Sequence, residues 1–245
     1  MIVYEPIQPS ASDFGSYVYC GAKLFLDKSP ALEWFRKNKR ESYDMGAKTK
    51  SRLRGQQNEH KCIDWILKMH KETQHIVFDG TGKENQQTFP AHIKTDTLNE
   101  TLQCRPDLIL KREDQIFLYE FKAVSDAKYL SFTEYDSIHA QVWCYRFIDY
   151  FDIDKYFLFR YYEDPFMWGV FPKEKELTEE NLSDEKFAPL FKKYLSLIKT
   201  INSADKTLKI ELDLDRLNRP INQPDKCNRC IYYNLYCEPK CEDIK

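Results

Sequence analysis

The sequence predicts a mixed α/β protein, with one central sheet and helices covering it. Three observations carry that expectation. Residues 104–124 read as two strands joined by a turn near 112–115, and the second strand alternates. Ile116, Leu118, Glu120 and Lys122 share one face and Phe117, Tyr119 and Phe121 the other, so both faces are largely apolar as far as Glu120. That is the pattern of a central strand buried on both sides. Helical stripes then appear at Ile138, Gln141, Val142, Tyr145 and Ile148 within 134–150, and at Phe187, Phe191, Tyr194, Leu195, Ile198 and Ile201 further on. Between these stripes, aromatic strands are expected around 156–162 and 167–171.

The chain has 245 residues, with 37 Lys+Arg against 39 Asp+Glu, 15% aromatic residues and 8 cysteines. A chain of this length buries roughly 70–75% of its unfolded surface, so no disulfide framework is needed to hold a core. The aromatic content and a formal net charge of −2 exclude a disordered chain and a globally basic nucleic-acid coat protein. The N-terminal segment lacks the basic and apolar regions of a secretory signal, and no run approaches the ~18 apolar residues of a membrane span. A cytoplasmic protein without membrane contact is expected, and in a reducing compartment crowded cysteines mark a metal or redox site.

Position divides the cysteines. Cys62, Cys104 and Cys144 stand singly among hydrophobic residues and are expected in the core. Cys20 lies near the start, whereas Cys227, Cys230, Cys237 and Cys241 crowd the end. Charge is also uneven. Arg36, Lys37, Lys39, Arg40, Lys48, Lys50, Arg52 and Arg54 face only Glu41 and Asp44, which makes this segment either a solvated surface or a phosphate-contacting one. A helix is expected over 59–71 from Ile63, Ile66 and Leu67, with Glu59 near its start; residues 79–101 read as an exposed loop or a weakly formed hairpin arm.

The chemistry concentrates at the 104–124 hairpin. Its turn is equidistant from Asp107 and Glu120, so antiparallel pairing brings the two carboxylates together, with Lys122 beside them. Two close carboxylates repel unless a cation lies between them, and oxygen ligands suit Mg²⁺ or Mn²⁺. Such an ion with a neighbouring lysine serves phosphodiester hydrolysis. A cross-strand salt bridge accounts for the same residue types.

Arg105-Pro106-Asp107 followed by Glu120-Phe121-Lys122 resembles the PD-(D/E)xK nuclease signature. Gly55-Gln56-Gln57-Asn58-Glu59-His60 resembles the upstream G-x-x-x-(H/E) motif of its RecB-like branch, and Gln141-Val142-Trp143-Cys144-Tyr145 resembles the downstream Q-x-x-x-Y motif. Cys20 with Cys227-x2-Cys230-x6-Cys237 is similar to the one-plus-three arrangement that binds a [4Fe-4S] cluster in the CRISPR-associated RecB-like exonucleases (the "Cas four" family), AddB nucleases and exonuclease V. The motifs run in the family's order from residue 10 to residue 241.

The resemblance implies a restriction-endonuclease-like core and a single domain over 1–245. Its catalytic core would span 50–172, and an iron–sulfur module would be formed by 1–30 with 220–245. It implies Glu59, Asp107 and Glu120 as metal ligands, with His60 as the alternative to Glu59, because the common form has His where Glu59 stands. Lys122 would assist the attacking water, and Gln141 with Tyr145 would support the site or contact the DNA strand. Lys48, Lys50, Arg52 and Arg54 would meet DNA phosphates. The iron–sulfur ligands would be Cys20, Cys227, Cys230 and Cys237. Cys241 is an alternative ligand, and with the other three tail cysteines it makes a set that also suits zinc. A cluster held by Cys20 and the tail would close a very long loop, a constraint on the order of 5 kcal/mol.

The activity implied is that of a Mg²⁺- or Mn²⁺-dependent exonuclease on single-stranded DNA ends, with endonuclease activity alongside. CRISPR adaptation or recombination proteins are the implied partners. A non-catalytic DNA-binding or assembly subunit with a zinc or iron–sulfur site is the alternative.

Overall fold

The computed structural model describes residues 6–29, 59–69, 74–81, 87–124, 136–163 and 170–203. Four helices and seven strands lie within them: α1 (Ala11–Lys28), α2 (residues 59–69), β1 (Gln74–Asp79), β2 (Phe89–Thr95), β3 (Leu98–Cys104), β4 (Leu108–Arg112), β5 (Gln115–Ala123), α3 (Asp136–Tyr145), β6 (Lys155–Glu163), β7 (Val170–Leu177) and α4 (Asp184–Ser203). Five strands form a mixed sheet in the order β1-β4-β5-β6-β7, and β2 and β3 make a separate hairpin. Among these strands only β5 and β6 pair in parallel. They are joined through α3, as a parallel pair requires a crossover.

The alternation expected in β5 sorts the core into two layers. Leu118, with Ile109 and Leu158, packs under α1, α3 and α4. Phe117, Tyr119 and Phe121, with Phe157, Phe159 and Tyr161, pack under Cys62, Ile63 and Ile66 of α2. An aromatic cluster locks the first layer. The Phe14 ring of α1 stands edge-on to Phe191 of α4, with centroids 5.1 Å apart, and lies 5.8 Å from Trp143 of α3. Edge-to-face rings of this kind contribute about 0.5–1.5 kcal/mol beyond their area. Helix α1 starts at Ser10, whose hydroxyl accepts the Asp13 N–H at 3.2 Å.

Three expectations change. Residues 89–104 form a regular hairpin with one buried face, made of Phe89, Ala91, Ile93, Leu98, Leu102 and Cys104, in place of an exposed loop or weak arm. Helix α3 ends at Tyr145 rather than near 150, because Arg146 turns away to Leu182 O and Asp184 while Ile148 bridges to Ala91. The strand expected at 167–171 lies at Val170–Leu177. It is an edge strand with alternating Lys and Glu and a proline, residues that edges tolerate and central strands do not.

Cys62, Cys104 and Cys144 are fully buried, as expected. Burial pushes all three thiols above their ordinary range, so they pack as small apolar groups. No described helix is long and apolar enough to cross a membrane.

Candidate active site

The β4–β5 register puts Leu108 opposite Tyr119, so the next pair outward is Asp107 with Glu120. The turn is two residues, Glu113 and Asp114, with Glu113 at φ 54 in the left-handed region. The Phe121 N–H donates to Asp107 Oδ2 at 2.7 Å, which fixes that carboxylate across the end of the hairpin.

Glu120 is 1% exposed, and three side chains supply its partners. Lys122 donates to Oε1 and forms an ion pair with it. Gln141 Nε2 donates to the same oxygen at 2.9 Å, and the Tyr145 hydroxyl reaches Oε2 at 3.1 Å. Gln141 Nε2 also lies 2.7 Å from the Tyr145 hydroxyl, and that hydroxyl is 3.0 Å from Arg105 O. Gln141 and Tyr145 are one helical turn apart on α3, so a single face of the helix holds both oxygens of one carboxylate. This network joins the R-P-D, E-x-K and Q-x-x-x-Y residues.

The electrostatics have one theme. Burial pushes the Asp107 carboxyl well above the usual range, and the Glu120 charge adds to it, while Lys122 pulls the other way. Glu59 is also raised, first by burial and then by Glu120. Lys122 loses hydration by burial, yet Glu120 and Asp107 outweigh this and its net shift is upward. An ammonium placed there stabilises negative charge beside it. Burial and Glu120 raise the Tyr145 phenol, which keeps it a hydroxyl donor.

Among the described residues, no group of three or more His, Cys, Asp or Glu side chains is arranged to hold a metal ion. The donor chemistry nevertheless fits a hard divalent cation. Asp107 and Glu120 are paired carboxylates whose repulsion such an ion would relieve, and Glu59 feels the same field. His60 is exposed on α2, and its Nδ1 lies 3.5 Å from the Thr81 hydroxyl, which is bound in turn to Asp79. His60 thus reaches the turn after β1 as well as the charge of Glu59, and Glu59 in turn feels Glu120.

Cys20 is buried at a break in α1, with φ −159 and ψ 98, and its sulfur accepts the Lys23 N–H at 3.4 Å. The thiol thus restarts the helix as a cap does. Cys227, Cys230, Cys237 and Cys241, and the basic residues Lys48, Lys50, Arg52 and Arg54, lie outside the described residues.

Sequence reasoning missed two features. One is the Arg105 carbonyl, an acceptor that no side-chain pattern can announce. The other is a groove beside Lys122 lined by α1, whose Ser12, Ser16, Tyr19 and Lys23 recur at helical spacing.

No family model matches the chain, and no curated protein matches it in sequence. Among solved structures similar to it is the crystal structure of SSO0001, 14% identical, with a TM-score of 0.51 over 96% of this chain and 87% of that one. At that identity the likeness is one of fold: a mixed α/β architecture shared along nearly the whole chain.

Proposed function

We propose that the chain is a metal-dependent DNA nuclease of the RecB-like PD-(D/E)xK kind, with a restriction-endonuclease-like core, acting on single-stranded ends. The observation that supports this most is the convergence of Lys122, Gln141 and Tyr145 on the buried Glu120 carboxylate, beside Asp107. These residues come from two separate motifs of the sequence.

Asp107, Glu120 and Glu59 would hold Mg²⁺ or Mn²⁺, which when bound supplies charge neutralisation and a water nucleophile. Lys122, beside both carboxylates, would assist the attacking water or stabilise negative charge growing on the phosphate. Gln141 and Tyr145 hold Glu120 in one orientation, a positioning task that matters because small misplacement of a ligand costs rate steeply. Cys20 with Cys227, Cys230 and Cys237 would carry a [4Fe-4S] cluster, with Cys241 as the alternative ligand and zinc as the alternative metal.

A second reading has an observation of its own. Glu120 Oε1 is already taken by Lys122 and Gln141, which suits a non-catalytic DNA-binding or assembly subunit held together by a buried ion pair. Cleavage of end-labelled single- and double-stranded DNA with Mg²⁺ or Mn²⁺ separates the two. The nuclease reading expects degradation of the single strand by wild type and none by Lys122→Ala. Equal cleavage by both proteins overturns the active-site assignment, and no cleavage by the wild type removes the nuclease reading.

A further inference from the structure

Beside the carboxylate pair lies a groove of about 290 Å³ between α1 and α3. Lys122 and Gln141 line it from the site just described, and Ser12, Ser16, Tyr19 and Lys23 line it from α1. Ser12, Ser16 and Tyr19 share one face of the helix before the break at Cys20, and Lys23 joins them from the part that follows it. Ser12, Ser16 and Lys23 are exposed and Tyr19 is half-buried. The core uses other positions of α1, among them Ala11, Phe14 and Phe25. Gly15 and Ser137 also border the groove, and a Cβ on Gly15 would stand 2.6 Å from the Ser137 carbonyl oxygen. The two helices therefore meet there with no room for a side chain, which sets the groove's inner edge.

The stripe carries two hydroxyls, one aromatic ring and one cation. That is the set which grips a nucleic-acid strand without reading its bases: the cation and hydroxyls meet phosphate and sugar, and the ring stacks on any base. The volume is near the lower limit for ligand pockets, about 300 Å³. The groove follows α1 on both sides of its break at Cys20 and leads to Lys122.

We infer that this groove is the track for the strand entering the Asp107–Glu120 centre, with Tyr19 stacking on a base and Lys23 taking a phosphate. The inference rests on the nuclease reading of that centre. Lys23 forms an ion pair with Asp27 on the next turn, so an arriving phosphate displaces a carboxylate. Asp27 thereby weakens binding.

The test is fluorescence anisotropy with labelled oligo-dT and oligo-dA in EDTA, where no cleavage intervenes, on the full chain. Tyr19→Ala binds both oligonucleotides roughly 5- to 150-fold more weakly, the factor that one base–aromatic stack carries, and Tyr19→Phe restores binding. Lys23→Ala lowers the slope of log affinity against log salt by about 0.7, the contribution of one single-strand phosphate. Asp27→Asn tightens binding, and Ser16→Trp, a change at an exposed position, abolishes it by filling the groove. Unchanged binding in Tyr19→Ala and Ser16→Trp overturns the inference, as does a wild type that binds neither oligonucleotide. If those variants bind normally while the wild type cleaves with Mn²⁺, the groove assignment fails and the nuclease reading stands. If they bind weakly while nothing cleaves, the nuclease reading fails and the groove stands.

Discussion

Replacing Asp107 by Asn tests the electrostatics of the site without disturbing its shape. The amide oxygen still accepts the Phe121 N–H that Asp107 Oδ2 accepts at 2.7 Å, so the hairpin end keeps its bond. What disappears is a carboxylate whose proton affinity is raised by burial and by Glu120. A carboxyl raised in the folded state binds its proton more tightly there than in the unfolded chain. Its destabilisation is absent below the ordinary carboxyl range and grows as pH rises from that range through the raised value. Every tenfold gain in proton affinity on folding corresponds to about 1.4 kcal/mol at neutral pH. Asp107→Asn removes that destabilisation and is expected to raise Tm at neutral pH, by roughly 2–4 °C for each kcal/mol gained in a chain this long.

A bound cation gives the wild type the same relief. At a hundred times its dissociation constant, such an ion adds about 2.7 kcal/mol. The assay is thermal unfolding from pH 5 to 8, in EDTA and with Mn²⁺. In EDTA the wild type should lose Tm as pH rises while Asp107→Asn loses less, and Mn²⁺ should raise Tm in the wild type alone. A variant less stable than wild type at pH 7 in EDTA, or one that keeps the full Mn²⁺ response, refutes the reasoning.

Other expectations rest on single contacts. Tyr145→Phe removes the hydroxyl 3.1 Å from Glu120 Oε2 and 2.7 Å from Gln141 Nε2, and should cost about 1.5–3 kcal/mol in a denaturant melt, the range for a hydrogen bond to a charged group. Gly15→Ala puts a methyl 2.6 Å from the Ser137 carbonyl oxygen and should lower stability by about 1–3 kcal/mol, read as a lower midpoint with an unchanged m-value. Protein purified without oxygen should be brown and contain iron, and Cys20→Ala should bleach it; a colourless, zinc-loaded protein indifferent to Cys20 contradicts the iron–sulfur proposal.

The parts of this molecule that are legible in the sequence are those where local pattern and tertiary role agree. β5 alternates and is apolar on both faces because it is packed on both, so its position and its two faces follow from its residues. The Asp107–Glu120 pairing follows from counting outward from a two-residue turn. The β2–β3 hairpin is harder to read, although Phe89, Ala91 and Ile93 alternate as they should. Its turn, Asp96–Thr97, lacks the glycine that marks most two-residue hairpins, and polar residues fill its open face.

The end of α3 is hidden for a different reason. The apolar stripe continues to Ile148, but that residue is used in a bridge to β2 rather than in another helical turn. The α1 groove is hidden because its residues are individually ordinary. Ser12, Ser16, Tyr19 and Lys23 on an exposed face read as solvated surface until α3 brings Gln141, and β5 brings Lys122, to meet them.

Single-turnover cleavage of end-labelled single-stranded DNA in Mn²⁺, comparing wild type with Glu120→Gln, tests the central claim most directly. Gln at this position keeps the size of Glu120 and its one amide oxygen can still accept from Gln141 or from Tyr145, but it has no charge to share with Asp107 in holding a cation or to pair with Lys122. The account predicts a rate at least roughly 10³-fold lower, on the scale of losing one electrostatic element of a reaction centre, with the fold retained. Cleavage by Glu120→Gln at the wild-type rate would contradict it.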